Sequence, residues 1–242
     1  MRIIMAVFPM GGVSVRGSVA RLGFSLLFVW FFVSGAQAGC KSPAAPSVDW
    51  SGCNKQLLQL DGSDLTAANL EGAFLSGTSL ASAKLVDANL HISELVRTSF
   101  KGADLSGANL EKSLSSRADF TDAILKGARL VKAEFLRVSF DGADLSGADL
   151  SDGEFPRNSF VKANLSGANL AGATLQRAAF SEANLSGASF KRTYLYWARL
   201  EGVDLSQVVD LTQMQIDIAC GDAKTKLPAG LTMPAHWPCA ED

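Results

Sequence analysis

Large apolar residues recur at every fifth position over most of this 242-residue chain. From Leu60 to Leu205, twenty-nine of the thirty positions so spaced hold Leu or Phe, and Ser115 is the exception. An α-helix needs apolar groups three and four apart, and a half-buried strand needs them two apart. Period five serves neither, and on a long helix it would scatter the Leu side chains around the whole surface. It does suit a chain of short extended sides joined by bends. Residues two apart in extended chain point the same way. Two before each such position the residue is Ala in nineteen of the thirty cases and mostly Ser, Thr or Gly in the others, so both can face one crowded interior. The residue between them faces outward and is often Asp or Asn, as at Asp104, Asn109, Asp144, Asn164 and Asn184. A polar residue and then, frequently, Gly follow, and such a pair can turn a corner.

A longer period gives the number of sides. Phe stands at 100, 120, 140, 160 and 180, and Arg at 97, 117, 137, 157 and 177. Leu holds every position from Leu65 to Leu205 in steps of twenty. Four five-residue sides per coil bring such residues into vertical register. A fifteen-residue period, which three sides would demand, is not seen. The sequence therefore predicts an all-β solenoid with a square coil.

The strings ADLSGANL, ADLSGADL and ANLSGANL carry a resemblance. They look like the pentapeptide-repeat family, whose pattern is A(D/N)LXX, and the likeness runs over residues 58–207. It implies a right-handed quadrilateral β-helix with stacked Leu or Phe at its centre. Ser115 departs from that pattern, and the neighbouring Leu114 suggests a local slip in register. Asn158 and Leu58 are large for small-residue positions. The tail ACGDAKTKLPAGLTMPAHWPC resembles a segment appended to some exported bacterial members. About seven coils at ~4.8 Å each would make a stack ~35 Å long. Disulfide partners need Cα atoms within ~7 Å, so the expected bonds are Cys40–Cys53 and Cys220–Cys239, one at each end. Residues 39–57 and 208–242 are then read as caps, the second with a short helix in LTQMQIDIA, because solenoid ends expose strand edges and apolar cross-section.

The first residues read as a leader. Arg2, Arg16 and Arg21 precede the apolar run Leu22 to Val33, and an Ala-Gln-Ala ends at Ala38. That is the layout of a secretory signal peptide over residues 1–38, and the run is too short to span a bilayer. Cleavage near Ala38–Gly39 would place the protein in the periplasm or outside the cell, where disulfides are the default for four cysteines. Cys40 follows Gln-Ala-Gly, a partial match to a lipoprotein cleavage site. Lipidation there would tie the protein to a membrane. Three of the 22 basic residues and none of the 24 acidic ones precede residue 39, leaving a net charge of −5. This carries no global signature of nucleic-acid binding.

An enzyme lacks its inventory. His91 and His236 are the only histidines and lie far apart in sequence, with no metal-ligand spacing. The repeated glycines do not open a helix, so they make no phosphate loop. Asp64, Asp104, Asp144 and Asp204 share one side, and paired carboxylates can do acid–base work, yet the repeat itself favours Asp or Asn there. The arrangement that stands apart is the arginine column of Arg97, Arg117, Arg137, Arg157 and Arg177, stacked on one edge. Guanidinium groups in a row suit phosphate, sulfate or carboxylate groups. Glu94, Glu134 and Glu154, each three residues before a column Arg, are candidates to neutralise it. Trp197 takes the next place in the column, with Tyr194 and Tyr196 beside it.

The sequence thus points to an exported, non-enzymatic scaffold that needs no cofactor and binds another protein. The alternative is capture of an anionic polymer or lipid headgroup along the arginine edge. The family resemblance also implies DNA-mimic members that engage topoisomerases through an acidic surface, and end-to-end dimers in places. The leader and the basic edge oppose the first of these here, and the expected caps oppose the second.

Overall fold

Outward residues twenty positions apart bridge in parallel all along the repeat: Asp49 to Asn69, Asp104 to Ile124, Asp144 to Asn164. The computed structural model describes residues 39–239, so the expected leader over residues 1–38 lies outside the described residues. Each coil has four sides, numbered here by their interior residues. Side 1 carries Phe100, Phe120, Phe140, Phe160 and Phe180; side 2 begins Leu65, Leu85; side 3 Leu70, Leu90; side 4 Leu75, Leu95, Ser115, Phe135, Phe155. The five Phe rings of side 1 form one stack, with neighbouring centroids 4.6–5.1 Å apart. That spacing is the rise of the coil, the same as between strands of a sheet.

The interior is made as the period requires. Nearly every Leu or Phe of the series and the small residue two before it are buried. The outward Asp and Asn have a second task. Their Oδ1 accepts the backbone N–H two residues on, as in Asp104 with Ser106 at 3.0 Å and Asn109 with Glu111 at 3.1 Å. This local bond closes the start of the bend. On side 3 the amides also form a ladder between coils, Asn69 donating to Asp49, Asn89 to Asn69 and Asn109 to Asn89.

Corners are four-residue turns. Ala103 N–H donates to Phe100 C=O at 2.9 Å, and Gly102 between them has φ +62°. A positive φ at the third position marks a type II turn, where glycine is the favoured residue. The corner from side 2 to side 3 accordingly uses Gly107, Gly127, Gly147, Gly167 and Gly187. The corner after side 4 has glycine at Gly77 and then arginine over the next five coils.

Side 4 holds the two strands that are longer than a single bridge, β1 (Leu114–Ser116) and β2 (Glu134–Leu136), paired with Ser115 opposite Phe135. No register slip occurs here. Ser115 keeps its interior place at 5% exposure, and Leu114 points out at 45%. The hydroxyl of Ser115 donates to Leu95 C=O at 3.1 Å, which satisfies it inside an apolar stack and removes any reason to slip. Asn158 and Leu58 also keep register. Asn158 Oδ1 accepts the buried N–H of Val138 at 2.8 Å, and Leu58 N–H donates to Thr78 Oγ1 at 3.2 Å.

The coil starts earlier than expected. Bridging begins at Asp49, inside the segment 39–57 assigned to a cap, because Trp50 and Lys55 occupy interior positions in place of Leu. Lys55 is buried, lies 3.6 Å over the Trp50 ring, and donates from Nζ to Cys40 C=O at 2.8 Å. Burial holds its ammonium below the usual lysine range. At this end Cys40 bonds to Cys53, Cα atoms 5.4 Å apart. At the other end Cys220 bonds to Cys239, 5.5 Å apart. The helix α1 (Gln213–Asp217) lies across the last coil, with Gln215 Nε2 donating to Phe190 and Thr193 carbonyls. Ile216 is fully buried. The edge itself is extended by bridges from Arg199 to Cys220 and Asp204 to Lys226.

Candidate interaction surface

The five arginines do stack on one edge, at the corner leaving side 4. Their N–H groups donate to the coil above in succession: Arg97 to Ser116 C=O, Arg117 to Leu136, Arg137 to Pro156, Arg157 to Gln176, Arg177 to Tyr196. All five have φ between 54° and 58°, the left-handed region that disfavours a residue with a Cβ. Over the same coils the corner between sides 2 and 3 is glycine throughout. Residues with a Cβ also stand at other corners, as Ile92, Lys112, Lys132 and Asp152 do after side 3, so what sets this corner apart is the run of arginine over five successive coils.

Glu94, Glu134 and Glu154 do not neutralise the column. Among the described residues no ion pair joins them to Arg97, Arg117, Arg137 or Arg157; Glu94 instead accepts from Ser76 Oγ at 2.8 Å. The glutamates project from the flat of side 4, while the arginines project from the corner three residues on, so the two columns run parallel and apart. Between them lies a third column, Val96, Ser116, Leu136, Pro156, Gln176 and Tyr196.

That strip gathers apolar surface as well. Leu57, Phe74, Leu114, Leu136, Tyr194 and Tyr196 are large exposed apolar or aromatic residues on side 4 or its arginine corner. Sequence reasoning took Leu114 as a sign of slipped register and passed over Leu136, so neither was named as a surface residue, since both fall outside the five-residue series. A depression of about 410 Å³ opens over Ser115 and Ser116, walled by Leu114, Leu136 and Pro156. Ser115, which lines it, is smaller than the Leu or Phe that the other coils from Leu75 to Leu195 carry at this place. A shallower one of about 240 Å³ lies along the same corner at Leu57 and Arg97.

The expected aromatic group is formed at the C-terminal end. Tyr194 and Tyr196 stack with centroids 6.2 Å apart, Trp197 tilts against Tyr196 at 6.4 Å, and Arg177 lies 5.8 Å over the Trp197 ring. Tyr194 also edges an apolar hollow of about 440 Å³ with Met214 and Ile218 of the terminal segment.

The other candidates resolve into structure. Asp64, Asp104, Asp144 and Asp204 do share side 2, but each accepts the N–H two residues on, at 3.0–3.1 Å. Hydrogen bonds from Thr66 hold Asp64 below the usual carboxylate range. Lys226, 2.8 Å away, brings Asp204 down to about 2. All four serve as turn caps, and a lowered carboxylate such as Asp64 or Asp204 is the opposite of what a general acid needs. His91 Nδ1 lies 3.6 Å from Glu71, and His236 Nε2 lies 3.3 Å from Ala219 C=O. Among the described residues no three His, Cys, Asp or Glu are grouped to hold a metal, and no helix is long and apolar enough to cross a membrane.

The family model for pentapeptide repeats matches in eight copies, over residues 59–91, 93–114, 116–152, 159–194 and 168–207. No curated protein is matched. Among solved structures, that of QnrB1, a plasmid-mediated fluoroquinolone resistance protein, aligns with 18% identity and TM-score 0.54, over 75% of this chain and 91% of that one. HetL, involved in heterocyst differentiation regulation in the cyanobacterium Nostoc, aligns with 24% identity and TM-score 0.31, over 76% and 89%. A pentapeptide repeat protein of the Arabidopsis thaliana thylakoid lumen shows 34% identity and TM-score 0.29, over 44% and 64%. The likeness to QnrB1 is one of fold.

Proposed function

Because the chain belongs to the pentapeptide-repeat family, we propose that it is a non-enzymatic interaction scaffold, exported from the cytoplasm, that receives another protein on side 4 and its arginine corner. The observation that carries this reading is the one-sided gathering of exposed Leu, Phe and Tyr beside a column of arginines held at positive φ. Apolar patches rimmed by charge are the usual form of a protein-binding surface. Support for export comes from the leader expected over residues 1–38 and from two disulfides near the ends of the described chain.

Two experiments test it. A photo-crosslinking residue placed at Leu136 should capture protein partners in cells, while one at Ile124 on side 2 should not; equal capture from both sides, or none from Leu136, would refute the assignment. Mass measurement of protein recovered from the periplasm should give a chain beginning at Gly39. Intact chain confined to the cytoplasm would end the export reading and return attention to cytoplasmic partners.

A second reading, capture of an anionic polymer, draws on the unneutralised Arg97, Arg117, Arg137 and Arg157. Binding through such an edge should fall steeply with salt. Retention on an immobilised sulfated polysaccharide, lost when Arg117, Arg137 and Arg157 are changed to Glu, would favour it. Flow-through of the wild type at low salt would exclude it.

A further inference from the structure

Side 4 and its corner carry three columns: Glu94, Leu114, Glu134, Glu154 and Thr174; Val96, Ser116, Leu136, Pro156 and Gln176; and Arg97, Arg117, Arg137, Arg157 and Arg177, with glutamate and arginine on one coil at 94 and 97, 134 and 137, and 154 and 157. The members of each row lie on one coil. On those three coils charge of one sign stands on each flank of the midline, and among the described residues no ion pair joins Glu94, Glu134 or Glu154 to Arg97, Arg137 or Arg157. We propose that this strip is self-complementary and that a second copy of the chain occupies it, forming a side-by-side, parallel dimer. The inference rests on reading side 4 as an interaction surface and names its partner.

The symmetry follows from the pattern. A two-fold axis running along the solenoid, through the midline column, turns left into right and leaves height unchanged. Glu94 then meets the partner's Arg97, Glu134 the partner's Arg137, and Glu154 the partner's Arg157, each pair twice. A two-fold axis laid across the strip would instead bring glutamate onto glutamate and arginine onto arginine. The closed contact that also matches charge is therefore the parallel one. Along the axis, Val96, Leu136 and Pro156 face their own copies. The depression over Ser115 and Ser116 gives each Leu136 room beside the partner's Leu136. At the upper end Tyr194 comes opposite the partner's Trp197, an aromatic pair suited to an interface.

The arginines explain why such a contact would tolerate its charges. A guanidinium can pair with a carboxylate in a two-pronged bond and is less strongly hydrated than an ammonium. It is also the residue that interfaces favour over lysine. A strip of six coils, ~29 Å tall, would bury area near the lower end of the ~1,200–2,000 Å² typical of stable pairs. A dimer in the micromolar range is the expectation.

Sedimentation of the oxidised full chain across a concentration series reads this directly. The wild type should pass from monomer to dimer and dissociate as salt is raised. Glu134→Arg and Arg137→Glu should each weaken self-association at least about tenfold, because each variant places like charges across its own interface. Mixed in equal amounts, the two should pair again, since every introduced charge then meets its opposite. Thermal melting of each variant identifies any that fails to fold, and Glu154→Arg with Arg157→Glu gives a second, independent swap. A wild type that stays monomeric throughout overturns the proposal. So do a dimer indifferent to both substitutions and folded variants that do not recover on mixing. If the wild type is monomeric yet Leu136 still captures other proteins in cells, self-pairing falls and the scaffold reading stands. If it is dimeric and Leu136 captures only its own copy, self-pairing stands and the scaffold for other proteins falls.

Discussion

At a single corner position the backbone and the side chain pull in opposite directions. Arg97, Arg117, Arg137 and Arg157 hold φ values of 54–58°, which glycine adopts at no steric cost. Changing all four to Gly should therefore leave the melting temperature nearly unchanged, because relief at positive φ and the greater freedom of the unfolded chain, each up to about 1 kcal/mol per site, oppose one another. The same variant should lose whatever the edge binds. A marked fall in melting temperature would show that the arginines serve the fold instead. Ser115 teaches a related lesson. Its place in the series was legible, but its consequence was not, because one missing Leu reads equally as a slipped register or as a dent. The hydrogen bond to Leu95 C=O decides for the dent, and no sequence rule contains that bond. Asn158 was similarly opaque: its bulk looked wrong until its amide oxygen was seen to serve the Val138 N–H.

Elements at the two ends behave differently from the coils they close. The short helix in LTQMQIDIA and both disulfide pairs were readable, the helix from its residues and the pairs from the length of stack between the cysteines. The early start of the coil was not readable, since Trp50 and Lys55 hide two interior positions under residue types foreign to the series. The C-terminal closure also carries a pH dependence. Lys226 holds Asp204 at about 2, below the usual 3.8. A carboxylate whose folded pKa is depressed contributes its full stabilisation above the unfolded value and loses it as pH falls through the folded one. Attachment of the terminal segment at Asp204 should thus be constant from neutral pH to about 4 and weaken between about 4 and 2. The protection of the Lys226 N–H, which donates to Val203 C=O at 3.0 Å, measured relative to the free-peptide exchange rate at each pH, should fall over that interval and not before. In Asp204→Asn that acid-dependent change should be much reduced. Unaltered acid sensitivity would assign the effect to other carboxylates.

Across the whole molecule, stability comes from neighbours in a stack, each coil resting on the next. Leu130 is completely buried, and Leu130→Ser should cost about 3–5 kcal/mol, because side 3 has no dent to receive a hydroxyl and no compensating ring. A loss below about 1 kcal/mol would mean the core can collapse far more freely than close packing allows. The twenty-residue register also behaves like a reading frame. Removing residues 121–140 would take out one full coil and return every later residue to its own side, leaving a shorter but ordered set of columns. Removing only 136–140 would be a quarter-turn shift: Glu154 would leave the flat of side 4, and the aromatic end would no longer continue the arginine edge. Length can thus change by whole coils while the surface keeps its spelling. Any other change in length rewrites every face beyond it.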